Sequence, residues 1–81
     1  MKIIKEEKWR YIWMEDAGEQ YLTFLSGGPV EIDYSVKLTP AEIQRIEKDP
    51  QAIDALISEL MADHGKLLQR RIVPSKWPPR A

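Results

Sequence analysis

The sequence predicts an α+β fold: a three-stranded antiparallel meander followed by two helices packed on one of its faces, with an extended C-terminal tail. Three observations carry this expectation. Apolar residues recur with period two up to Leu38 and with period 3.6 after it. Leu38-Thr39-Pro40-Ala41-Glu42 contains a complete helix start at the changeover. Gly- and Pro-containing clusters fall between the apolar runs, where turns belong.

The first predicted strand covers residues 8–14, with Trp9, Tyr11 and Trp13 on one face and Arg10, Ile12 and Met14 on the other. Glu15-Asp16-Ala17-Gly18 reads as a turn, and residues 20–25 as a second strand with apolar groups on both faces, as a central strand requires. Ser26-Gly27-Gly28-Pro29 predicts a second hairpin loop. Residues 30–38 alternate cleanly. Val30, Ile32, Tyr34, Val36 and Leu38 point inward and Glu31, Asp33, Ser35 and Lys37 outward.

At the helix start Thr39 is the N-cap, Pro40 occupies N1 where its missing amide costs nothing, and Glu42 at N3 closes a capping box. Leu38 and Ile43 form the accompanying hydrophobic staple. This helix runs to about Lys48, with Ile43 and Ile46 toward the sheet. Asp49-Pro50 restarts the pattern as N-cap and N1, after which Ile53, Leu56, Ile57, Leu60 and Met61 define an amphipathic helix. Gly65 suits a helix stop, placed near His64. Leu67, Leu68 and Ile72 roughly continue the stripe, so a helix running through Gly65 at a cost of about 1 kcal/mol is the alternative. Residues 1–73 are read as one α+β domain and residues 74–81, with three prolines, as an extended basic tail.

Composition sets further bounds. A chain of 81 residues supports one core. It has no cysteine, which fits a reducing compartment, and the cytoplasm is the expected location. No secretory signal or membrane span is expected, because the longest N-terminal apolar run is Ile3-Ile4. The net charge of -1 conceals an asymmetry: residues 31–65 carry three basic and eight acidic groups, whereas residues 66–81 carry five basic groups and no acidic one. Lys66, Arg70, Arg71, Lys76 and Arg80 either complement helix ends and acidic faces of the same molecule or, alternatively, bind a polyanion such as nucleic acid. Five cations beside an acidic body disfavour the second use.

Catalytic constellations are not legible. The single histidine, His64, lies on the expected last turn of the long helix, with no Gly-x-Ser-x-Gly elbow to accompany it. It is read as a structural group favoured by the helix C-terminal dipole. Glu59 and Asp63 share a helix face from which His64 is rotated by about 100°, so no metal site is expected. Glu31 and Asp33, on one strand face, read as its wet side rather than as a glycosidase pair. The Gly27-Gly28 loop joins two strands where a phosphate loop would open a helix. The chain is therefore expected to be no enzyme and to need no cofactor.

The row Trp9, Tyr11, Trp13 admits two placements. If Ile12 and Met14 join the core, the three rings lie with Tyr21, Glu31 and Asp33 on the opposite face and form an aromatic and acidic surface suited to a protein partner. If the faces are swapped, the rings are core and Ile12 and Met14 peripheral. Trp77 is expected to dock on the body or on a second subunit. The stretch Ile32-Asp33-Tyr34-Ser35-Val36-Lys37-Leu38-Thr39-Pro40-Ala41-Glu42, preceded by Tyr21-Leu22 and a Gly pair and followed by a helix and Ile72-Val73-Pro74-Ser75, resembles small bacterial proteins of the immunity type. The resemblance covers about residues 20–75 and implies a cytoplasmic protein that neutralises a cognate toxin by binding it. The function expected is thus a non-catalytic protein-binding module whose partner is another protein or a second copy of itself. A nucleic-acid-associated protein and a self-associating structural protein are the alternatives.

Overall fold

The computed structural model describes residues 2–8, 10–25, 32–73, 75 and 77. Four strands, β1 (Lys2–Glu7), β2 (Tyr11–Asp16), β3 (Glu19–Leu25) and β4 (Asp33–Lys37), precede three helices, α1 (Pro40–Lys48), α2 (Ala52–Ala62) and α3 (His64–Arg70). The sheet is an antiparallel meander in the order β1-β2-β3-β4. The class is α+β, and two counts of the expected architecture are corrected: the sheet gains a fourth strand and the helical half a third helix. Trp9, the loop 26–31 with Val30 and Glu31, and most of the tail 74–81, including Lys76 and Arg80, lie outside the described residues.

β1 has no sequence alternation because it is an edge strand with little to bury. Lys2-Ile3-Ile4-Lys5-Glu6-Glu7 is exposed except for the half-buried Lys5, and its strand geometry comes from pairing with β2. The register shifts at Ile4, so Ile3 opposes Met14 while Lys5 opposes Trp13, a β-bulge. The β2-β3 connection is a tight hairpin. Ala17 and Gly18 both have positive φ, 54° and 81°, as a two-residue primed turn between Asp16 and Glu19 requires.

The capping box forms as read. Thr39 Oγ1 accepts from the Glu42 amide at 3.2 Å and Glu42 Oε1 accepts from the Thr39 amide at 2.9 Å. The next boundary shifts slightly: Asp49 Oδ1 accepts from the Gln51 amide at 3.1 Å, and the helix begins at Ala52. The third helix arises at Asp63, whose extended-side backbone (φ -117°, ψ 83°) breaks α2, while its Oδ1 accepts from the Lys66 amide at 3.1 Å and caps α3. Gly65 therefore lies inside a helix and is not its stop. His64 sits at the N-terminus of α3 and not on the last turn of α2, and it packs edge-on to Tyr34, with ring centroids 6.3 Å apart.

The core fills the space between one sheet face and the helices. Tyr11 and Trp13 of β2, Leu22 and Phe24 of β3, and Tyr34 and Val36 of β4 meet Leu38, Ile46, Ile53, Leu56, Leu60 and Leu67. Ile43 and Ile57 pack against it from the rim, while Met61 and Ile32, both read as inward-facing, are exposed; Ile32 precedes β4 and lacks the strand's register. The opposite face is also covered at its centre. Ile12, Met14, Thr23 and Ser35 are buried there, and the Thr23 and Ser35 hydroxyls satisfy one another at 2.8 Å.

Candidate functional site

The aromatic row resolves in favour of the core placement for the two rings described. Tyr11 and Trp13 are only 4% and 5% exposed. Trp13 opposes Leu22 in the β2-β3 register and therefore faces the helices, and its Nε1 donates to Gln20 Oε1 at 2.8 Å. Tyr21 and Asp33 point the other way, since strand neighbours alternate. Of the expected surface of Trp9, Tyr11, Trp13, Tyr21, Glu31 and Asp33, the described members Tyr11 and Trp13 thus lie on one side of the sheet and Tyr21 and Asp33 on the other, while Trp9 and Glu31 lie outside the described residues. Burial of two large rings beside Leu22, Phe24 and Ile53 removes more apolar area from water than burial of Ile12 and Met14 would, and that difference orients β2. Ile12 and Met14 are nonetheless buried on the other face rather than peripheral.

Two of the three described basic residues of the C-terminal segment, Arg70 and Arg71, are also committed. Arg70 forms a two-pronged bond to Glu42, at 2.9 and 2.6 Å, and its Nη2 reaches the Lys37 carbonyl at 2.9 Å. Burial pushes the Glu42 carboxyl up, but the Arg70 guanidinium and the Thr39 amide outweigh it and hold it below the usual glutamate range. Arg71 stacks its guanidinium 4.9 Å over the Tyr34 ring, and its Nη2 lies 3.4 Å from the Asp33 carbonyl. Lys66 is mostly exposed beside Asp63. The acids behave alike: Glu59 chelates Arg45 at 3.0 and 2.6 Å, Asp54 pairs with Arg10, and Glu19 pairs with Lys37 at 2.7 Å. Among the described residues no group of three metal-ligating side chains converges. No helix among them is long and apolar enough to cross a membrane.

These commitments concentrate interest on the two sheet edges. Beyond α3 the chain turns at Arg71 and runs antiparallel beside β4, with a bridge between Val36 and Arg71. The Ile72 amide donates to the Ser35 carbonyl at 2.8 Å, and Ser75 Oγ to the Asp33 carbonyl at 3.3 Å. Trp77 Nε1 donates to Asp33 Oδ2 at 2.8 Å, and this bond, with a smaller share from Ser75, depresses the Asp33 pKa. Carbonyls of three alternate β4 residues, Asp33, Ser35 and Lys37, thereby all accept from Arg70, Arg71, Ile72 or Ser75. The β4 edge is sealed by the chain itself. Trp77 docks on the body, as one of the two expected placements has it.

At the other edge, no described segment pairs with the outer side of β1. It carries Ile3 and Ile4, 45% and 38% exposed, between the cations Lys2 and Lys5 and the anions Glu6 and Glu7. Sequence reasoning missed this edge because its search for apolar faces relied on period two, which the bulge at Ile4 interrupts. The adjacent pair Ile3-Ile4 in an otherwise charged stretch was the signal that could have found it. Compared with protein-family models, curated proteins and solved structures, the chain gives no match.

Proposed function

We propose that this protein is a non-catalytic protein-binding module that docks its partner along β1. The observation that carries this is the difference in edge cover: the β4 edge is closed by Arg70, Arg71, Ile72 and Ser75, while among the described residues no segment pairs with the outer side of β1, which carries two exposed isoleucines. Strand addition supplies affinity through main-chain bonds, and side-chain pockets for alternate residues supply selectivity. Partner recognition outside the chain suits β1 better than the basic segment, because Arg70 and Arg71 are bonded internally. Neutralisation of a cognate toxin, implied by the immunity-type resemblance, is one form of this function, and the cysteine-free sequence fits action in the cytoplasm.

The test is affinity capture from source-cell lysate with nuclease and raised salt, comparing wild type with Ile4→Pro. Proline is tolerated at edge bulges but blocks strand addition. The expected result is a stoichiometric protein that survives both treatments and is lost with Ile4→Pro while the circular dichroism of the variant stays unchanged. Loss of the bound material on nuclease or salt treatment would instead favour nucleic acid, and capture indifferent to Ile4→Pro would remove β1 from the function.

A further inference from the structure

We infer that the occupant of the β1 edge is β1 of a second copy, giving a two-fold dimer with a continuous eight-stranded sheet. This rests on the reading of β1 as the docking edge and names its partner. Three features of the strand point to it.

The first is the charge order. β1 reads cation, apolar, apolar, cation, anion, anion. Run antiparallel against itself about a dyad between Ile4 and Lys5, it sets Lys2 opposite Glu7 of the second copy, whose carboxylate also pairs with its own Arg10 at 2.9 Å, Ile3 opposite Glu6 and Ile4 opposite Lys5. The Lys2 pairing occurs twice by symmetry, and no like charges are directly opposed. A parallel in-register pairing would place lysine on lysine and glutamate on glutamate, which is repulsive.

The second is the bulge. Residues directly opposed across antiparallel strands must project from the same sheet face, and in a regular strand Lys2 and Glu7, five positions apart, project from opposite faces. Here the register shift at Ile4 absorbs one residue. Lys2 opposes Glu15 and Glu7 opposes Tyr11 on β2, so both lie on the helix-bearing face, while Ile3 opposes Met14 and Glu6 opposes Ile12 on the other. The bulge thus creates the one register in which the charge order and the face order agree, with the dyad at the bulge.

The third is closure. One edge of each sheet is occupied by its own C-terminal segment, so among the described residues each protomer has a single open edge. An isologous contact through that edge satisfies both copies and stops at two, where two open edges would propagate a fibre. A contact limited to one strand edge is small, so the dimer is expected to be in dynamic, concentration-dependent exchange with monomer.

The test is sedimentation velocity on the full chain across a concentration series, for wild type, Lys2→Glu, Glu7→Lys and an equimolar mixture of the two variants. Wild type is expected to pass from monomer to dimer and no further. Each single reversal opposes like charges twice and is expected to weaken dimerisation by about tenfold or more, while the mixture restores it as a heterodimer, because every opposed pair is again of opposite sign. Wild type remaining monomeric throughout, variants dimerising as tightly as wild type, or a mixture no tighter than either variant would overturn the inference. The binding-module reading is judged separately: a monomeric protein that still captures a different protein, sensitive to Ile4→Pro, leaves that reading standing and removes only the second copy.

Discussion

At the β4 edge, alternate carbonyls of Asp33, Ser35 and Lys37 accept from Arg70, Arg71, Ile72 and Ser75, and Trp77 anchors the segment to the Asp33 side chain. At the β1 edge the strand carries four charges in six residues and a bulge. Both are known ways of managing an open ladder, but they differ in reversibility. A covered edge is withdrawn from other chains as long as the cover holds. A charged and bulged edge rejects most strands while accepting one of complementary charge, so it works as a filter. The molecule therefore closes one side of its sheet and, among the described residues, leaves the other open, as the selective edge of the proposed function.

The largest expected effect comes from removing the cover. Truncation before Arg71 deletes the Ile72 bond to Ser35, the Arg71 stack on Tyr34 and the bonds to Asp33. It is expected to cost about 3 kcal/mol in urea unfolding and to produce species larger than a dimer in light scattering, since both edges are then open. An unchanged oligomeric state in the truncated chain would show that the β4 edge needs no cover.

Next, Glu42→Ala removes both the reciprocal half of the capping box and the Arg70 fork that brings α3 to the start of α1, at a cost of about 2 kcal/mol. The pH dependence follows from the sign of the shift. The folded pKa lies below the usual glutamate value of 4.5, so the unfolded chain takes up protons first on acidification. The contribution of Glu42 is complete above that value and is lost as pH falls through the lowered folded pKa. The stability difference between wild type and variant should shrink over that acid range.

A smaller loss, about 1 kcal/mol, is expected for Trp77→Phe, which keeps the ring but deletes the bond to Asp33. The Asp33 pKa, read by carboxyl NMR titration, should rise toward the usual aspartate value of 3.8. The wild-type advantage carried by that bond is present above this value and declines below it. Smallest of all, Ile3→Thr on β1 should change unfolding stability by no more than about 0.5 kcal/mol, because the residue is exposed and threonine keeps β propensity. A loss of several kcal/mol in thermal unfolding would mean that β1 is part of the core rather than a selective edge.

Local chemistry was legible to different depths along the chain. Thr39, Pro40 and Glu42 act within four residues of one another, so their roles could be read before any fold was known. The turn at Ala17-Gly18 and the inward set Tyr34, Val36 and Leu38 are of the same kind. β2 was ambiguous because Tyr11 and Trp13 alternate with Ile12 and Met14, both sets apolar, and only the volume between sheet and helices chooses between them. Asp63 was read as an acidic surface residue because its capping role depends on where α2 stops. The single face expected for Tyr11, Trp13, Tyr21 and Asp33 is divided for a related reason: the strand register places these residues on two faces.

The α+β class, the β2-β3 hairpin, the start of α1 and the stripe Ile53, Leu56, Leu60 were determined by the sequence alone, because each depends on backbone preference or periodicity over a few residues. Tertiary structure decided which aromatic rings are core, that the charged N-terminal stretch becomes a strand, and that Arg70 meets Glu42 from 28 residues away. Those outcomes depend on which surfaces lie close enough to exclude water and to bring charges together. That distance is set by the packed whole and is not encoded in any short window of the chain.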